Sequence, residues 1–158
     1  MQSSAPAVPR SMSRFNRFFC RWLASPLGFL SGNAVLVRYE GRRTGNTHCL
    51  PVNLVRQNGE TFISVGRAEQ KTWWHNFREP WPIELVRGPR RIHGTAVVVP
   101  GSTGRGQRIA ADYLATHHGA ARRAGLPRLA KGESPSPELL QEAASKMVFV
   151  VVTPDGTL

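Results

Sequence analysis

Apolar residues in this chain fall mostly in short runs punctuated by glycine, proline and asparagine, the signature of strands joined by tight turns. Ala34 to Glu40 (Ala-Val-Leu-Val-Arg-Tyr-Glu) reads as a first strand, His48 to Arg56 as a second and Thr61 to Val65 as a third. Gly41-Arg42-Arg43-Thr44-Gly45-Asn46 forms the turn between the first two. Asn58-Gly59 supplies the two positive φ values of a type I′ hairpin turn between the next two. Ile83 to Arg87 is a fourth strand, followed by the turn Gly88-Pro89-Arg90 and a fifth strand from Arg91 to Val99. Val148 to Thr153 has almost no polar residue, so the sixth strand is expected to bury both faces. Tight turns make the first pairings antiparallel, and there is no regular strand–helix alternation as in a Rossmann fold. The fold class expected is mainly β (α+β): a six-stranded antiparallel barrel with peripheral helices.

Helical spacing appears in four places. Phe15, Phe18, Phe19, Trp22 and Leu23 share one face of a segment that carries Arg14, Arg17 and Arg21 on another. This predicts a basic amphipathic helix over 13–24, ending before Pro26. Such a helix either covers the end of the barrel or lies on an anionic membrane surface. Thr72 is placed to cap a short helix through Phe77, ended by Pro80 and Pro82. Gly104 to His118 reads as a helix that turns Ile109, Tyr113 and Leu114 to the core, followed by a basic loop from Arg122 to Pro135. Ser136-Pro137-Glu138 combines an N-cap, a proline at the first helical position and a first-turn acid, and opens a helix to about Ser145. Residues 1–11, rich in Ser, Pro and Ala, are expected to be a disordered lead-in, and 12–158 a single domain.

Composition narrows the partners. The chain is 158 residues long with 41% apolar and 20% charged residues, which excludes a disordered chain. Its formal net charge is +11, carried by 18 Arg and 3 Lys. An Arg-favouring genome produces such a balance, and so does an anionic partner: a phosphorylated cofactor, nucleic acid or an acidic membrane. Two cysteines, Cys20 and Cys49, are too few for a disulfide framework and have no zinc spacing, so a reducing cytoplasm is the default. No run reaches the ~18 apolar residues of a membrane span. The stretch Phe18 to Leu30 is interrupted by Arg21 and Pro26. The expected location is cytoplasmic, with peripheral attachment to the membrane through the basic helix as the variant.

Two segments can carry chemistry. In Gly41-Arg42-Arg43-Thr44-Gly45, backbone amides, two guanidinium groups and a hydroxyl can cradle an anion. The same residues also make an ordinary solvated hairpin tip. In Lys71-Thr72-Trp73-Trp74-His75-Asn76-Phe77, adjacent tryptophans on a short helix point in different directions. One then fills the core while the other lines a cleft for a planar ligand; alternatively both are core residues and His75-Asn76 caps the helix. His48, His75, His93, His117 and His118 have no metal-ligand spacing, and no Gly-x-Ser-x-Gly elbow or Walker loop occurs. Arg122, Arg123 and Arg128 have no nucleic-acid reader motif beside them, so nucleic acid is not expected as a partner.

The order of these segments is more specific than either alone. A basic Gly-Arg-Arg-Thr-Gly turn, Pro51-Val52 in the next strand, an Asn-Gly hairpin and then Trp-Trp-His-Asn-Phe resembles the deazaflavin-dependent nitroreductase and quinone reductase family over residues 22–99. Ser25-Pro26-Leu27 and Leu30-Ser31-Gly32 are similar to that family's approach to its first strand. The resemblance implies a split barrel related to FMN-binding oxidoreductases and, as cofactor, coenzyme F-420, a deazaflavin with a phosphate and an oligoglutamate tail. It implies that Arg42, Arg43, Thr44 and Gly45 hold the anionic part. His48 stands where the family often has Arg, and Lys71 or Arg67 supplies the cation before the tryptophans. Pro51, Trp73, Trp74 and Asn76 complete the implied cofactor set. The implied reaction is hydride transfer to a small hydrophobic quinone, nitro or enone substrate, with Tyr113 the candidate proton donor. FMN is the alternative cofactor. A non-catalytic barrel holding lipid, haem or FMN, at a membrane surface or not, is the alternative function, and a homodimer is compatible with both.

Overall fold

The computed structural model describes residue 21 and residues 32–128 and 135–156. The lead-in 1–11, the helix expected over 13–24 save Arg21, and positions 129–134 of the basic loop lie outside the described residues. Turn chemistry sets the first pairings. Asn58 and Gly59 have φ of 50° and 77°, and the hairpin closes on the pair Gln57 and Glu60, as a type I′ turn requires. Gly88, with φ of 57°, begins the equally tight turn between Arg87 and Arg90. The strands are β1 (Ala34–Glu40), β2 (Thr47–Gln57), β3 (Glu60–Ser64), β4 (Trp81–Arg87), β5 (Arg90–Pro100) and β6 (Val148–Pro154). They close into an antiparallel barrel in the order β1-β2-β3-β6-β5-β4, the mainly-β architecture expected.

Strand alternation divides the apolar residues between two cores. Val35, Val37, Leu54, Ile63, Leu85 and Val150 fill the barrel. Phe62, Val99, Phe149 and Val151 face outward from neighbouring positions and are covered by helices. These helices are α1 (Gly104–Thr116), α2 (His118–Arg123) and α3 (Pro137–Ser145). Thr103 caps α1 by accepting from the Gly106 amide at 3.1 Å, and Ser136 caps α3 by accepting from the Leu139 amide at 3.3 Å. The last strand is therefore buried on both faces, as its composition requires.

The helical region after α1 differs from the expectation. His117 is non-helical (φ −114°, ψ 76°) and the chain restarts as α2, so Arg122 and Arg123 are helical rather than in a loop. Ala120 and Leu126 dock into the outer core there, and that tertiary burial stabilises a helix too short to be read from periodicity.

Two irregularities shape one end of the barrel. β2 pairs with β1 from Thr47 to Asn53 and with β3 only from Leu54 to Gln57, so its first half has one edge without a strand partner among the described residues. The chain between β3 and β4, residues 65–80, then crosses this end. It contains two 3-10 turns, Ala68–Gln70 and Trp73–Phe77. The Thr72 side chain makes no cap hydrogen bond, contrary to expectation. The segment is held instead from within, because Phe77 is fully buried in the barrel core. Among the described residues no helix is long and apolar enough to cross a membrane.

Candidate functional site

The basic turn closes on itself. Gly45, with φ of 65°, donates its amide to the Gly41 carbonyl at 2.8 Å, and the Gly41 amide donates to the Asn46 carbonyl at 2.9 Å. The Asn46 amide donates to Thr44 Oγ1 at 3.3 Å. The Arg42 amide donates to Asn76 Oδ1 at 2.8 Å. Most amides of the expected anion cradle are thus already paired within the protein.

The two arginines of the turn have separate fates. Arg42 lies over the Trp81 ring, 4.3 Å from its centroid. Its Nε donates to the Asn76 carbonyl at 2.7 Å, and its Nη2 donates to the carbonyls of Glu79 at 2.7 Å and Pro80 at 3.1 Å. Nη1 adds a long contact of 3.4 Å to the Glu79 carboxylate. Asn76 Nδ2 and Trp81 Nε1 both donate to the Glu40 carbonyl, at 3.3 and 2.7 Å. Arg42 and Asn76 therefore clamp the crossing segment to the end of β1. Sequence reasoning treated both as ligand-facing, because a guanidinium that binds carbonyls and one that binds an anion look alike until the opposing backbone is known. Arg43 is exposed and has no hydrogen bond or ion pair among the described residues. Arg67, at φ 53°, and Lys71 are likewise exposed on the crossing segment, with no side-chain partner among the described residues.

Beside the turn runs a row of rings. His48 stacks on Tyr39, with centroids 5.2 Å apart and planes at 21°. Tyr39 meets the edge of Phe77 at 5.0 Å, and Phe77 meets Trp73 at 6.1 Å. Trp73 and Trp74 are both half-buried against the barrel core, and Trp74 Nε1 donates to the Ala68 carbonyl at 2.9 Å. Tyr39 is the residue sequence reasoning missed. The available signal was its alternation with Val35 and Val37 in β1, which turns it inward at the end nearest the turn.

Burial raises the Tyr39 phenol to about 12, with the nearby Cys49 thiol adding to the shift. The neutral form is the favoured one in the fold. Its contribution to stability is therefore complete below about pH 10, the unfolded phenol's pKa, and is lost as pH rises toward 12. The parent should lose stability across that window more steeply than Tyr39→Phe, measured by denaturant unfolding at stepped pH. Equal slopes would show that the phenol is not desolvated.

Two implied site residues lie elsewhere. Pro51 sits opposite Leu36, on the face of β2 away from Leu50 and Val52, which point into the core. Tyr113 belongs to the outer core, edge-on to Phe62 at 5.7 Å and stacked on His117 at 4.3 Å. The wall of β3 and β6 separates it from Trp73, so the structure does not bring this proton-donor candidate to the ring row. Its helical periodicity marked it correctly as a core contact, but not which of two cores it enters. Among the described residues no group of three His, Cys, Asp or Glu side chains could hold a metal ion.

No protein-family model matches the chain, and no curated protein matches it. Among solved structures, one named F420 Reductase is similar with a TM-score of 0.41 and 14% identity, over 86% of this chain and 92% of that one.

Proposed function

We propose that the protein is a deazaflavin-dependent oxidoreductase that binds coenzyme F-420 at the end of the barrel closed by residues 65–80. The observation that carries this reading is the juxtaposition there of unpaired cations with half-buried aromatic rings. Arg43, Arg67 and Lys71 have no acidic partner among the described residues, which suits the phosphate and carboxylates of the tail. Trp73 and Trp74 offer half-buried rings packed on the same core as Leu50 and Val52 of β2. The residue order on which the resemblance rests is the second support. When bound, the cofactor would supply hydride to an electron-poor quinone, nitro or enone substrate. The chain's own residues would bind and orient. Arg43, with Lys71 or Arg67, would hold the tail, while Arg42 and Asn76 keep the crossing segment in place. A tryptophan would lie against the ring, and His48 would border the anionic part.

Calorimetry with coenzyme F-420 and with its tail-less chromophore tests this reading. The complete cofactor should bind the parent at least about tenfold more tightly than Arg43→Ala, since a charge-assisted hydrogen bond contributes roughly 1.5–3 kcal/mol. The tail-less chromophore should bind both proteins alike. The difference should shrink as salt rises, because the Debye length is only about 10 Å at 0.1 M. Cofactor should also quench tryptophan fluorescence less in Trp73→Phe or in Trp74→Phe than in the parent. Equal affinity of the parent for the tailed and tail-less ligands would overturn the role of the turn and favour a barrel that holds an uncharged ligand.

A further inference from the structure

At the opposite end of the barrel, roughly 20 Å along β1 from the basic turn, lies a cleft of about 390 Å³. We propose that it is a second binding site, for a small organic oxyanion with a compact apolar body. The proposal does not depend on the cofactor reading.

The apolar lining of the cleft comes from Val35 and Leu54 of the barrel core and from Val55, which belongs to the outer core. The cleft is also lined by two arginines, Arg56 of β2 and Arg87 of β4, and among the described residues by no carboxylate. Neither arginine has an ion-pair or side-chain hydrogen-bond partner among the described residues, whereas Arg38, Arg42, Arg91 and Arg105 each pair with a glutamate. Two unpaired guanidinium groups lining one concavity suit a carboxylate or a phosphate.

Gln57 also lines the cleft and is fixed by its amide nitrogen, which donates to the Asp112 carbonyl at 2.9 Å and to Thr116 Oγ1 at 3.1 Å.

The C-terminus of α1 also reaches the cleft, through Thr116 and His117, and exposed carbonyls there would repel an anion. Two carbonyls of its last turns are already occupied. Thr116 Oγ1 donates to the Asp112 carbonyl at 3.1 Å, as Gln57 does, and the Tyr113 carbonyl accepts from the His117 amide at 2.9 Å and lies 3.1 Å from His117 Nδ1.

The test is methyl NMR on the full chain, titrated with mandelate, which has a carboxylate, a hydroxyl and a phenyl group. Mandelamide, phenylacetate and phenyl phosphate serve as comparison probes. Mandelate should shift the methyl resonances of Val35, Leu54 and Val55 and bind more tightly than neutral mandelamide. The ratio of phenyl phosphate to phenylacetate affinity names the preferred head group. Arg56→Gln and Arg87→Gln should each weaken mandelate by about tenfold, with the remaining methyl spectrum unchanged as proof of folding, while Arg43→Ala binds as the parent does. Mandelamide binding as tightly as mandelate, shifts that miss those three residues, or affinity unchanged in both arginine variants would overturn the site.

Discussion

Phe77→Ala should destabilise the protein by about 3–5 kcal/mol, the range for removing a fully buried phenylalanine. Phe77 is fully buried, within the same core as Val35, Leu85 and Val150. It touches Tyr39 at 5.0 Å and Trp73 at 6.1 Å between ring centroids. It is also the one fully buried side chain of the 3-10 turn that crosses the barrel end, so nothing else in that turn can replace its anchorage. For a chain of this size a loss of that order lowers Tm by roughly 10 °C or more. Urea unfolding of the variant should show a reduced midpoint with an unchanged slope. Phe77→Leu, which keeps most of the volume, should recover more than half of the loss. A variant of parental stability would mean that the crossing segment is not anchored through this ring, and the placement of Trp73 would fall with it.

Arg42→Ala should cost about 2–4 kcal/mol, more than an ordinary surface arginine. Its guanidinium donates to three backbone carbonyls, those of Asn76, Glu79 and Pro80, and packs on Trp81. Removing it leaves those carbonyls to water and frees the crossing segment from the β1–β2 turn. The Glu79 contact adds little, since that carboxylate is 81% exposed and its pair is screened. Arg42→Lys should rescue less than half of the loss, because an ammonium cannot reproduce the planar fork. Hydrogen exchange over residues 73–80 should rise in Arg42→Ala and stay parental in Arg43→Ala. If both variants behave alike in exchange and in Tm, Arg42 does not act as the clamp described above.

The contrast between these neighbours shows where sequence reasoning stops. Positions governed by local rules were legible. Asn58-Gly59 required a type I′ turn because of backbone sterics alone, and Ser136-Pro137-Glu138 opened a helix because capping is a matter of adjacent residues. The uninterrupted Val148-Phe149-Val150-Val151-Val152 run could only be a strand buried on both faces. From those elements the mainly-β barrel followed. The helix α2 was not legible, since its stability comes from Ala120 and Leu126 docking on a distant surface.

For the candidate site the sequence by itself determined which residue types gather on the basic turn and the tryptophan segment, and in what order. Only the tertiary structure decided what each one faces. Arg42 and Arg43 are adjacent and chemically identical, yet the crossing segment places three carbonyls within reach of the first and none of the described residues' acceptors within reach of the second. Tyr39 and Tyr113 each sit in apolar, periodic surroundings. Strand alternation turns Tyr39 into the barrel, and the helix carrying Tyr113 packs on its outer wall. Periodicity states that a residue is buried, because burial depends on one face of one element. Which core it enters depends on the closure of the barrel, and that is set by pairings between strands far apart in the chain, such as β3 with β6.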